Sequence, residues 1–96
     1  MFQKSRLSPE NLIIKRKNLI VRLIDNRAIL LSPEYHYPFR LNRMGTRIWE
    51  LIDSHQRVKD LVDAVTQLYD VDRKEVVRDI KIFLSELLNK KLIKTG

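Results

Sequence analysis

The stretch Tyr35-His36-Tyr37-Pro38-Phe39-Arg40-Leu41-Asn42-Arg43-Met44-Gly45-Thr46-Arg47-Ile48-Trp49-Glu50-Leu51-Ile52-Asp53 changes hydrophobic period in its middle. Up to Leu41 the pattern alternates. Tyr35, Tyr37, Phe39 and Leu41 fall on one face, and His36, Pro38 and Arg40 on the other, which is the period of a strand. From Met44 the apolar positions follow helical spacing, with Met44, Ile48, Leu51 and Ile52 on one stripe and Trp49 at its flank. Asn42 stands at the switch as a helix N-cap. A strand therefore leads directly into a helix that ends near Asp53. Pro38 has no N–H to give to a ladder, so it marks this strand as an edge.

Upstream, Leu19–Ile24 and Ala28–Leu31 read as two further strands. Asp25-Asn26-Arg27 forms a turn between them, and Ser32-Pro33-Glu34 follows the second. Residues 1–11 read as a loose tail, and Leu12-Ile13-Ile14 with Lys15-Arg16-Lys17 as a short extra strand or a sticky arm. Residues 1–18 are thus an N-terminal tail or extra strand ahead of a domain over 19–96. Downstream, Val58, Leu61, Val62, Val65, Leu68 and Tyr69 keep helical spacing over Val58–Tyr69. Asp72-Arg73-Lys74-Glu75 opens a third helix with an acid at each capping position. That helix runs to about Lys90, and Leu92-Ile93 closes the chain, with the option of a short strand. On a wheel of about 100° per residue, Val76, Val77, Ile80, Phe83, Leu84, Leu87 and Leu88 fill an arc of roughly 140°. Phe83 and Val76 sit at its rim beside Asp79, Glu86 and Lys90, while Ile82 lies almost opposite. Three antiparallel strands followed by three helices make an α+β, winged-helix-turn-helix-like unit.

Composition narrows the function. The 96 residues suit one domain, and a hydrophobic share of 44% suffices for a modest core. There is no cysteine, so disulfides, thiolate metal sites and cysteine nucleophiles are excluded. The N-terminus lacks the apolar region of a signal peptide, and no run reaches the ~20 apolar residues of a membrane span. A cytoplasmic protein without membrane attachment is expected. His36 and His55 have no partner at metal-ligand spacing. The two glycines, Gly45 and Gly96, form no phosphate-binding loop, and no serine sits in a glycine-flanked elbow. The expectation is a protein with no catalytic residues, metal or cofactor.

The net charge of +7 raises nucleic acid as a partner. Residues 1–48 hold ten basic and three acidic residues, so the whole excess lies there, and residues 49–96 hold nine of each. A winged-helix DNA- or RNA-binding protein is the alternative reading. Against it, the second helix carries Asp60 and Asp63, with Asp70 at its end, against Lys59. The third carries Glu75, Asp79 and Glu86, and such acids repel phosphate. A structural dimer paired through strand edges is a third reading, and a monomer or weak dimer is expected.

The run Leu41–Asp53, of the form L-N-x-x-G-x-x-I-W-x-L-x-D, resembles the signature of PqqD-like domains, also called RiPP recognition elements. Ala28–Asn42 is similar to the strands that lead into that signature. Tyr69-Asp70-Val71-Asp72, then Val76, Val77, Asp79, Ile80 and Leu84–Leu88, resembles the family's third-helix segment. The likeness covers about Leu19 to Ile93. Two positions depart from it: Ser54-His55 stand where the family often has Asp-Gly, and Val58 stands where it usually has Thr.

The resemblance implies a non-catalytic adaptor that binds the leader segment of a ribosomally synthesised precursor peptide, as in lasso-peptide or pyrroloquinoline-quinone pathways. The leader adds to the third strand beside the third helix and is delivered to a modifying enzyme or leader protease. It places the peptide against Tyr35, His36, Tyr37, Pro38, Phe39, Arg40 and Leu41. The helix wall is expected from Val76, Asp79, Phe83 and Glu86, with Ile82 as an alternative. Arg40 and the basic strand region would meet acidic leader side chains.

Overall fold

A computed structural model describes residues 7–96, the side chains of Tyr35 and His36 excepted. The central sheet is antiparallel in the order β2 (Ile20–Ile24), β3 (Arg27–Ser32), β4 (Tyr35–Arg40), numbered after a short first strand, β1 (Ile13–Lys15). Asp25 and Asn26 both have positive φ, 52° and 64°, and close a two-residue hairpin. That geometry matches the twist of the flanking strands, and Asn and Asp tolerate it. Arg27 therefore belongs to β3, paired with Ile24, rather than to the turn.

β3 alternates as a half-covered strand must. Ala28, Leu30 and Ser32 are buried, while Ile29 and Leu31 face outward and are half-buried. On β4 the register shifts. Leu30 pairs with Phe39 and Ser32 with Tyr35, so one residue of β3 spans three of β4, His36 to Pro38. Pro38 thus lies within a bulge, where a missing donor costs no ladder bond.

Three helices follow: α1 (Arg43–Ile52), α2 (Val58–Tyr69) and α3 (Arg73–Asn89). Asn42 caps α1, its Oδ1 accepting the Gly45 N–H at 2.7 Å. Trp49 is buried with Ile48 and Ile52, whereas Met44 is exposed, so the buried stripe centres on Trp49 rather than beginning at Met44. Thr46 ties α1 to the sheet, because its buried Oγ1 accepts the Ala28 N–H at 2.8 Å. Thr46→Val keeps the shape and leaves that N–H without an acceptor. It is expected to cost about 1–3 kcal/mol, read as a lower urea midpoint at unchanged m-value.

α2 begins at Arg57, which makes no side-chain cap bond. The N-terminal segment supplies the acceptors instead: Asn11 O takes the Val58 N–H and Pro9 O the Lys59 N–H, each at 3.0 Å. This satisfies donors in the first turn that a capping side chain would otherwise serve. α3 is capped by Asp72, whose Oδ1 accepts the Lys74 N–H at 3.2 Å. Val76, Ile80, Leu84 and Leu87 form its buried stripe.

The chain ends in β5 (Ile93–Thr95), which pairs antiparallel with β1. Of the extra strand and the sticky arm, Ile13–Lys15 forms the strand. Residues 7–11, expected as loose tail, are docked: Leu7 is buried, and Asn11 and Pro9 cap α2. Residues 1–6 lie outside the described residues. Ile13, Leu92 and Ile93 are each almost fully buried, so the two-stranded β1–β5 ribbon contributes to the same core as Leu30, Ile52, Leu61 and Leu84.

Candidate functional site

β4 pairs with β3 on one side and, among the described residues, with no strand on the other. The Leu41 N–H donates to Ala28 O at 2.9 Å, so Leu41 directs its backbone toward β3. Backbone direction alternates along a strand. Arg40 therefore turns both its N–H and its C=O toward the free edge, and Pro38 turns its C=O there without a donor.

α3 packs on α2 and β5, and stands beside the β4 edge without pairing to it. The two elements meet where Lys90 Nζ lies over the Phe39 ring, 5.5 Å from its centroid. Phe83 leans on Gly45 of α1. A Cβ built at Gly45 would stand 3.4 Å from Phe83 Cε1, 3.5 Å from Leu41 Cβ and 3.2 Å from Asn42 Oδ1. The tight approach is to the capping Asn42 Oδ1, while the Phe83 ring and Leu41 would stand at ordinary contact distance from such a Cβ. Phe39 and Phe83 are both half-buried, each with one side on the core. They are the half-buried aromatic side chains of the two elements between which a peptide cleft is expected.

The structure sorts the expected site residues. Phe39 and Phe83 are half-buried, and Tyr37, Pro38 and Arg40 are exposed on β4. The side chains of Tyr35 and His36 lie outside the described residues. Asp79 and Glu86 are exposed and lie about 40° and 60° from Phe83 around α3, on its solvent side. Ile82 is 56% exposed and lies about 100° from Phe83, farther from the cleft. Leu41 and Val76 are corrected: they are 3% and 5% exposed and pack inside the core. Leu41 continues the inward face of β4. Val76 shares the Phe83 side of α3, but at the end where the helix is sealed against its neighbours.

Gly45, read in the sequence as a place where a ring or backbone approaches closely, does lie beside Phe83, whereas the contact of Lys90 with Phe39 was not foreseen. Spacing offered a signal for Lys90, since it lies seven residues after Phe83 on the same helix face. Trp49, weighed as an anchor, is a core residue 5% exposed, and Lys15 Nζ sits over its ring at 4.2 Å. The same ammonium group is 2.9 Å from Asp53 Oδ1. The last acid of the Leu41–Asp53 run thereby holds β1 against α1.

Among the described residues, no group of three or more His, Asp or Glu side chains converges as a metal site would. No described helix is long and apolar enough to cross a membrane.

Comparison with known proteins agrees with this arrangement. The family described as coenzyme PQQ synthesis protein D (PqqD) matches residues 27–93. TbiB1, solved in complex with the TbiA(beta) leader peptide, is 34% identical. The match covers 84% of this chain and 94% of TbiB1, with a TM-score of 0.76. The solution structure of the PqqD truncation of Methylobacterium extorquens PqqCD, described as a stand-alone RiPP recognition element, is 23% identical. There 94% of this chain and 96% of the other superpose at a TM-score of 0.76, which speaks to the fold. No curated protein matches the chain. The resemblance read from Leu41–Asp53 is borne out, and so is the α+β architecture of three antiparallel strands followed by three helices.

Proposed function

Because this chain belongs to the PqqD family, we propose that it binds the leader segment of a ribosomally synthesised precursor peptide as a strand added to β4, in the cleft beside α3. The observation that carries this reading is the unpaired edge of β4 running beside Phe39, Phe83 and Lys90. Main-chain hydrogen bonds supply affinity common to many sequences, and side-chain pockets supply selectivity. The peptide is bonded through Arg40 N–H and C=O and through Pro38 C=O. Its alternate side chains enter the cleft between Phe39 and Phe83, while Tyr37, Asp79 and Glu86 border it. The role is binding and delivery to a modifying enzyme or leader protease of the same pathway, lasso-peptide or pyrroloquinoline-quinone in type. The chain itself performs no chemistry and acts in the cytoplasm.

The test is fluorescence anisotropy with the labelled leader half of the short peptide encoded beside this gene, and duplex DNA as control. Saturable peptide binding that weakens only mildly with salt supports the proposal. DNA binding that collapses with salt, without a peptide response, overturns it. The backbone geometry gives a sharper check. Arg40→Pro removes the one N–H that β4 offers the free edge beyond Pro38, without touching a bond to β3. Relative to Arg40→Ala, it is expected to weaken binding by a further factor of about 3–10, the worth of one hydrogen bond. Equal affinities for the two variants would mean that the peptide does not pair there.

A further inference from the structure

Beside the Arg40 end of β4 lies an open hollow of about 680 Å³ lined by three arginines, Arg27, Arg40 and Arg43. Ala28, Ile29 and Leu41 also line it, as does one acid, Asp25. Among the described residues no ion pair engages any of the three arginines or Asp25. Arg22, Ile29 and Arg40 are in register across the three strands. Paired residues project on the same face. Arg22 and Arg40 therefore flank Ile29 on the outer face of the sheet, and Arg27, two residues before Ile29, joins them there. Arg22 and Arg40 are two strand spacings apart, roughly 10 Å at the backbone, and Arg27 is diagonal to Arg40, so their mutual repulsion is modest and a counter-charge relieves it.

The position of the hollow says what brings that charge. A strand added to β4 places one residue opposite Arg40, with its Cβ about 4.5–5.5 Å from that of Arg40 and on the same outer face. The residues on either side of it point the other way, toward the cleft and Phe83. A nucleic-acid backbone would instead need cations strung along successive phosphates, whereas these converge on one hollow that an acid also lines. We infer that the Arg27–Arg40–Arg43 hollow reads an aspartate or glutamate of the added leader peptide and so fixes its register along β4. This deepens the strand-addition reading and rests on it. The recognised pattern is an acid opposite Arg40, flanked in alternation by apolar residues that enter the cleft. A slip of one residue would carry the acid into the apolar cleft and the apolar groups into water, so the charge acts as a register lock.

The experiment is selection from a displayed library of random 15-residue peptides, run in parallel on the full chain and on its Arg40→Glu and Arg43→Glu variants. Circular dichroism confirms that each variant is folded. The wild-type chain is expected to enrich peptides with Asp or Glu at a fixed offset from apolar positions. Arg40→Glu is expected to enrich Lys or Arg at that offset, and to bind the wild-type selections roughly tenfold more weakly. Arg43→Glu lowers affinity for the same peptides without changing their pattern. Enriched peptides with no acid at a fixed offset, or the same peptides from wild type and Arg40→Glu, overturn the inference and leave strand addition standing. Displacement of selected peptides by a 20-base-pair duplex would assign the hollow to phosphate and overturn it. No enriched peptide at all removes the strand-addition reading, and the register lock with it.

Discussion

Phe83→Ala is expected to weaken leader-peptide binding by roughly 10- to 100-fold, while the protein still folds. Aromatic residues that wall a desolvated cleft are the ones whose truncation costs about 2 kcal/mol or more in binding. Phe83 fits that description under the strand-addition reading: it is half-buried and its ring lies beside Gly45 at the start of α1. Part of its apolar surface is already out of water in the free protein. The variant therefore also loses some stability, less than the 3–5 kcal/mol of a fully buried Phe→Ala change. Anisotropy titration reads the affinity, and a urea melt of the same sample reads the fold. Unchanged affinity would remove Phe83 from the site. Unfolding of the variant would make the ring a core residue and leave Phe39 and Lys90 as the cleft's walls. Ile82→Ala is the comparison: it lies farther around α3 and is expected to change affinity little.

Ile13→Ala is expected to destabilise the protein by about 2–4 kcal/mol, within the range for Ile→Ala at buried sites. For a domain of this size that is a fall in Tm of about 10–25 °C. Ile13 is fully buried, its N–H donates to Gln56 O at 2.7 Å, and β1 pairs with β5 around it. The change opens a cavity between the two ends of the chain and loosens the segment whose carbonyls cap α2. Lys17→Ala, on an exposed residue just beyond β1, should stay within about 0.5 kcal/mol of wild type. A thermal melt of both variants decides the matter. If Ile13→Ala melted with wild type, the N-terminal segment would be an appendage rather than part of the core.

The sequence was legible where structure follows from near neighbours. Alternation from Tyr35 to Leu41 and helical spacing from Met44 onward located the strand-to-helix switch. Asn42 and Asp72 were readable as caps because a capping side chain serves donors two or three residues away. The helix over Val58–Tyr69 was readable to its ends, since its apolar positions repeat without interruption. Pro38 announced an edge strand because the lack of an N–H is a property of the residue itself. On the third helix the wheel was only half informative: Phe83 and Val76 stood at the same margin of the apolar arc, yet Val76 is buried and Phe83 only half so. A wheel ranks residues around one helix and is silent on which length of that helix its neighbours seal.

What only the tertiary structure decided comes from contacts between distant parts of the chain. That Ile13–Lys15 is a strand depends on Ile93–Thr95 arriving beside it, and three residues carry too little pattern to declare a strand alone. The start of α2 has no side-chain cap, and only the fold shows that Pro9 and Asn11 bring their carbonyls to it. Gly45 suggested a close approach by a ring or a backbone, but only the fold shows that the neighbour is Phe83, from another helix. Arg27, Arg40 and Arg43 are scattered in sequence and converge only because the hairpin at Asp25-Asn26 and the turn at Asn42 fold them to one end of the sheet. Periodicity and capping are set by backbone geometry over a few residues and are written locally. Pairing, sealing and charge convergence depend on which surfaces the folded chain brings together, and that is fixed only when the core closes.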